Sequence, residues 1–134
     1  MIGIDTNVLV RYLAQDDVRQ SAAATRFVEG LSAQNPAFIS LVVLAETCWV
    51  LQSNYSATSA ELAETIDDLL AMSSFHLQAR DVVKAVVAGV RAAAGGKVGV
   101  VDLLIAKLAG DEGCSQTVTF DRNAAKAAGM TLLS

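Results

Sequence analysis

Four carboxylates stand where a charge needs a reason. Asp5 ends the apolar run Met1-Ile2-Gly3-Ile4, and Asp121 ends Thr117-Val118-Thr119-Phe120. Glu46 lies inside Leu41 to Leu51, and Asp102 inside Val98 to Ala106. Each aspartate taken singly fits a helix cap, since Asp accepts from the free N–H groups of a first turn and its charge suits that end of the helix dipole. Glu46 does not fit that account. Val43, Trp49 and Val50 flank it at i−3, i+3 and i+4, with no basic residue within a turn. A buried glutamate without a partner is strongly unfavourable or stays protonated, so its partner must come from another part of the fold. A shared cation answers that need for all four. Oxygen ligands without His or Cys point to Mg²⁺ or Mn²⁺ rather than zinc. One or two such ions could activate water for in-line displacement at a phosphodiester. Thr6, Asn7 and Thr119 could hold the ligands or the water by hydrogen bonds.

The elements that must position these residues are an alternation of short strands and helices. Met1 to Ile4 reads as a parallel strand buried on both faces, with Gly3 allowing a close approach. Thr6 and Asn7 then open a helix. A second helix is expected from about Val18 to Leu31, with Ala22, Ala23, Phe27 and Leu31 inward, ended by Gln34-Asn35-Pro36. Ala37 to Ile39 is a strand, and Ser40 caps a helix to about Leu51. Thr58 or Ser59 caps the next helix, from about Ala60 to Met72. Phe75 to Leu77 is a strand, Asp81 to Ala94 a helix, and Gly95-Gly96-Lys97-Val98-Gly99 a turn. Val100 to Leu108 is a helix closed by Gly110 and Gly113. Thr117 to Phe120 is a strand, Asp121 opens a last helix, and Thr131 to Leu133 is a final strand. This alternation predicts an α/β fold, a three-layer α/β/α sandwich around a small, mainly parallel sheet. Carboxyl ends of parallel strands share one edge, where ligands collect, so all four acids are expected on it.

Bulk properties bound the reading. The chain has 134 residues, 53% of them hydrophobic but only 5% aromatic, which suits a single domain with an Ala/Val/Leu core. No stretch is long enough to span a bilayer and no basic leader opens the chain, so a cytoplasmic protein is expected. Cys48 and Cys114 read as two reduced core thiols. The net charge of −4 argues against a nucleic-acid partner. The four acids equal that whole excess, however, and one divalent ion would offset half of it.

Asp5-Thr6-Asn7-Val8-Leu9, Val43-Leu44-Ala45-Glu46, Asp102-Leu103-Leu104-Ile105-Ala106 and Thr119-Phe120-Asp121-Arg122 together resemble the successive motifs of PIN-domain nucleases. Their order and the chain length are similar to VapC-type toxins of bacterial toxin–antitoxin pairs. The resemblance covers Met1 nearly to Ser134 as one PIN-like domain. It implies an Mg²⁺- or Mn²⁺-dependent endoribonuclease with an RNA substrate, usually a homodimer, silenced by a cognate antitoxin. Asp5, Glu46, Asp102 and Asp121 would be its catalytic, metal-binding acids, supported by Thr6, Asn7 and Thr119. The chain departs from many relatives at Gly99-Val100-Val101, where they carry a further polar or acidic residue. Arg11, Lys97 and Arg122, with Lys107 and Lys126, could form a basic rim for RNA phosphates.

Two other functions compete with the nuclease. An Asp5-nucleophile phosphatase would need a second aspartate two residues on, where Asn7 stands. A non-catalytic PIN-like module for binding or dimerisation would have no need of all four acids. Gly95-Gly96-Lys97 is not a phosphate loop, because Arg91 stands where its first glycine belongs and Val98 where Ser or Thr belongs. His76 is expected as a core or edge residue. Tyr12, Tyr55, Trp49, Phe27, Met72 and Met130 are expected to pack.

Overall fold

The computed structural model describes residues 1–93 and 97–133. In chain order the elements are β1 (Ile2–Gly3), α1 (Thr6–Ala14), α2 (Val18–Glu29), β2 (Ala37–Ile39), α3 (Leu41–Tyr55) and α4 (Ser59–Ala71). There follow β3 (Phe75–Leu77), α5 (Arg80–Ala92), α6 (Val100–Asp111), β4 (Val118–Thr119), α7 (Arg122–Ala128) and β5 (Thr131–Leu132). Every strand pairing described is parallel, so the chain is α/β as its alternation of elements requires. The glycine turn expected at residues 95 and 96 lies outside the described residues.

The chain forms two compact units, Met1–Ser56 with Asp68–Arg80, and Ala57–Asp67 with Asp81–Ser134. The first holds a three-stranded sheet in the order β1-β2-β3, with Ile2 opposite Ala37 and Phe38 opposite His76. Burial peaks on the middle strand, where Ala37 is 0% and Ile39 1% exposed. This corrects the expectation for Met1 to Ile4. β1 is an edge strand, Ile2 is 42% exposed, and nothing lies within 4 Å of a Cβ built at Gly3. An apolar run signals burial but does not say which strand of a sheet is central.

The helices of this unit follow local rules. Ser40 Oγ accepts from the Val43 N–H at 3.1 Å, and Asp17 Oδ1 from the Gln20 N–H at 2.8 Å, so both helices start where a capping side chain stands. α3 runs past Leu51 to Tyr55 and ends on Ser56, which takes the left-handed conformation at φ 55°. α2 buries Ser21, Ala24 and Val28 rather than Ala22 and Ala23. In an alanine-rich helix a shift of one or two positions changes the apolar pattern little. Tyr12 packs on Phe75 with ring centroids 5.9 Å apart, as expected of a packing residue.

The second unit holds β4 paired with β5, with Val118 opposite Thr131. α5 buries Val82, Val83, Val86, Val87 and Val90, the stripe its spacing predicts. Gly89 lets α6 approach closely, since a Cβ there would stand 3.1 Å from Leu103 Cδ1. α6 continues through Gly110 to Asp111, because one glycine weakens a helix without ending it. Cys48 is buried in the first unit, whereas Cys114 is exposed and is not a core residue. His76 is exposed on the edge strand β3, its ring 6.0 Å from that of Phe38.

Candidate active site

β1 delivers Asp5 to its carboxyl end, and α1 begins there. Asp5 has extended backbone geometry, with φ −87° and ψ 160°, and its Oδ1 accepts from the Thr6 N–H at 2.8 Å. Thr6 is buried, and its Oγ1 donates to Glu46 Oε1 at 2.8 Å. One threonine thus links two acids distant in sequence, its amide to Asp5 and its hydroxyl to Glu46. Oδ2 of Asp5 and Oε2 of Glu46 take no part in these bonds.

This link revises the expectation for Glu46. Its partner does come from another element, but Glu46 is exposed rather than buried. α3 turns Val43, Leu44, Thr47, Cys48 and Leu51 inward, which leaves Val42, Glu46 and Trp49 outward. Trp49, expected in the core, is 63% exposed. α3 is apolar on nearly every face, so its periodicity could not choose the buried one.

Asp5 and Asn7 line a groove of about 740 Å³ between β1, α1 and α2, with Ile4, Val8 and Phe27 as its apolar part. That volume is in the range of small-ligand sites. Arg11 and Gln20 stand on its rim, and Arg11 is committed: it donates to Gln20 Oε1 at 2.8 Å and to Asp16 Oδ1 at 3.0 Å. The Tyr55 hydroxyl also donates to Asp16, which holds the Asp16 carboxyl below its ordinary range and pushes the Tyr55 phenol up. Arg11 therefore ties the turn between α1 and α2, and Tyr55 joins α3 to that turn.

In the second unit Asp102 is the third residue of α6, half-buried, with Gly99 as N-cap. Gly99 contributes no side-chain cap, and the Asp102 carboxylate folds back over it. Asp102 Oδ2 stands 3.0 Å from where a Cβ at residue 99 would be. The sequence marked Gly99 only as the end of a turn and as part of the departure before Asp102; the fold-back of Asp102 reveals its close approach to that carboxylate. Asp121 caps α7, its Oδ1 accepting from Asn123 at 2.8 Å and Ala124 at 3.2 Å. Thr119 Oγ1 accepts from the Asp121 N–H at 3.0 Å and so holds the turn into the cap. Lys97 and Arg122 are exposed, and the Lys97 carbonyl accepts from Asn123 Nδ2 at 3.4 Å.

Among the described residues no three His, Cys, Asp or Glu side chains are grouped to hold an ion. The donor chemistry around Thr6 nonetheless suits a hard one. Mg²⁺ keeps several waters and is often bound through one or two carboxylates plus substrate phosphate, and Asp5 with Glu46 offers two carboxylates.

Parallel strands, with Asp5 and Asp121 after strand ends and Asp102 in the first turn of a helix, place the chain among α/β proteins with carboxylates at helix starts. The PIN domain family model matches residues 2–130, and the chain belongs to that family. PIN domains are typically nucleases that use divalent ions such as Mg²⁺. No curated protein matches the chain closely enough to count as a relative.

Proposed function

We propose that the protein is an Mg²⁺- or Mn²⁺-dependent endoribonuclease and the toxin of a toxin–antitoxin pair. The observation that carries the catalytic reading is the double hold of Thr6 on Asp5 and Glu46. A purely structural cap at Asp5 would not need a second carboxylate brought to the same threonine. On this reading Asp5 and Glu46, joined through Thr6, are metal-binding acids, and the resemblance of motifs adds Asp102 and Asp121 to that role. When bound, the ion supplies activated water and offsets charge developing on the phosphate. Thr6 fixes the orientation of two ligands, so less ordering is left to the moment of reaction. Asn7 lines the groove beside Asp5 and can orient a water or a phosphate oxygen. The toxin role, the antitoxin partner and the homodimer are supported by the order of motifs that resembles VapC-type toxins.

Cleavage of single-stranded RNA with Mg²⁺ or Mn²⁺ tests the reading. The wild type should cut, EDTA should stop it, and Asp5→Asn and Asp102→Asn should each lose nearly all activity while melting near the wild-type temperature. Equal cutting by wild type and Asp5→Asn would remove it. For the biological role, expression of the wild type but not Asp5→Asn should arrest growth, and co-expression with the product of an adjacent reading frame should relieve the arrest.

A further inference from the structure

Phe120 lies between Thr119 and Asp121 and is 80% exposed. An apolar ring so placed forgoes most of the free energy that its burial would bring, so the site calls for an explanation. Its backbone is held on both sides. Thr119 Oγ1 accepts from the Asp121 N–H, and Asp121 Oδ1 accepts from Asn123 and Ala124. The ring is therefore presented from a fixed turn. Two exposed cations lie beside this turn: Arg122 opens α7 two residues after Phe120, and the backbone of Lys97 is tied to α7 through the Asn123 bond to its carbonyl at 3.4 Å.

Other exposed aromatics among the described residues lack this setting. Trp49 lies on α3, which contains no Lys or Arg, with Glu46 on the same face. The Tyr55 hydroxyl is engaged by Asp16. A bare ring with flanking cations suits an unstacked base with a phosphate on either side.

We propose that Phe120 is a stacking platform for one base of a single-stranded RNA, with Arg122 and Lys97 contacting the adjoining phosphates. This deepens and rests on the ribonuclease reading, and it puts a substrate-positioning group next to Asp121. A duplex keeps its base faces stacked and is a poor ligand for such a ring.

Kinetics and fluorescence test it separately. Phe120→Ala should raise KM for single-stranded RNA roughly 5- to 150-fold, the range that loss of one base stack produces, with kcat changed far less. Mn²⁺ binding without RNA should stay as in the wild type, and Phe120→Tyr should restore KM. For direct contact, Phe120→Trp is combined with Trp49→Phe, which removes the other indole, and with Asp102→Asn, which blocks cleavage. Single-stranded oligoadenylate should quench this indole saturably, and an RNA duplex of equal length should not. Cleavage by the wild type with an unchanged KM in Phe120→Ala and no quenching would overturn the platform alone. Quenching by single-stranded RNA without any cleavage by the wild type would keep the platform and overturn the nuclease.

Discussion

Thr6 joins two acids with one amide and one hydroxyl. Thr6→Val keeps the shape of the side chain but removes the bond to Glu46. Loss of such a supporting partner is expected to lower Mn²⁺ affinity or activity about 10- to 100-fold, and Thr6→Ser should restore most of it. Titration of Mn²⁺ by electron paramagnetic resonance checks this apart from turnover. Gly99→Ala places a Cβ 3.0 Å from Asp102 Oδ2, so the carboxylate must give by a few tenths of an ångström. Activity and Mn²⁺ affinity should fall, while the melting temperature moves little because the nearest neighbours of the added methyl are all atoms of the half-buried Asp102 side chain. Thr6 was legible as a supporter because it follows Asp5 directly. Gly99 was not, because a glycine before a helix carries no sign of where a neighbouring carboxylate will fold.

At the scale of elements, caps carry the local order. Thr58 Oγ1 accepts from the Glu61 N–H at 3.1 Å, and Glu61 Oε1 accepts from the Thr58 N–H at 2.9 Å, a reciprocal capping box on α4. Thr58→Ala should destabilise the fold by about 1 kcal/mol in urea unfolding. The bond to Thr58 holds the Glu61 carboxyl below its ordinary value of 4.5. Its contribution is thus present above pH 4.5 and lost as the pH falls through the lowered value, and in Glu61→Gln that part of the acid dependence should vanish. Ile39, fully buried on the middle strand β2, should lose about 2–5 kcal/mol on change to Ala, a larger effect than any cap. The strands Ala37–Ile39 and Phe75–Leu77 were legible to the residue. α3 was not legible in the same way: its start at Ser40 was clear, but its apolar surface hid both its length and its buried face.

Across the whole chain the two thiols report on folding. Burial raises the Cys48 thiol from 9.0 to about 11, while Cys114 is exposed. Alkylation near about pH 8 should modify Cys114 quickly and Cys48 only on unfolding. The folded state holds the Cys48 proton more tightly than the unfolded one, so its contribution to stability is full below pH 9.0 and lost as the pH rises through about 11. Loss of both thiols at one rate in the native protein would contradict the core described for the first unit. Among the described residues no helix is long and apolar enough to cross a membrane, as the hydropathy of the chain implies.

Local rules written in the chain determined the alternation of strands and helices and their capping residues, since these depend on neighbours a few positions apart, and that alternation implied the parallel pairing through right-handed crossovers. The order of the acidic motifs also carried the family, which the match over residues 2–130 then showed. Only the tertiary structure decided that β1 is an edge strand, that Glu46 and Trp49 face outward, and that Thr6 reaches Glu46 across forty positions. Those outcomes depend on which apolar faces find partners, and in a chain rich in alanine, valine and leucine many faces are nearly equivalent until the elements pack.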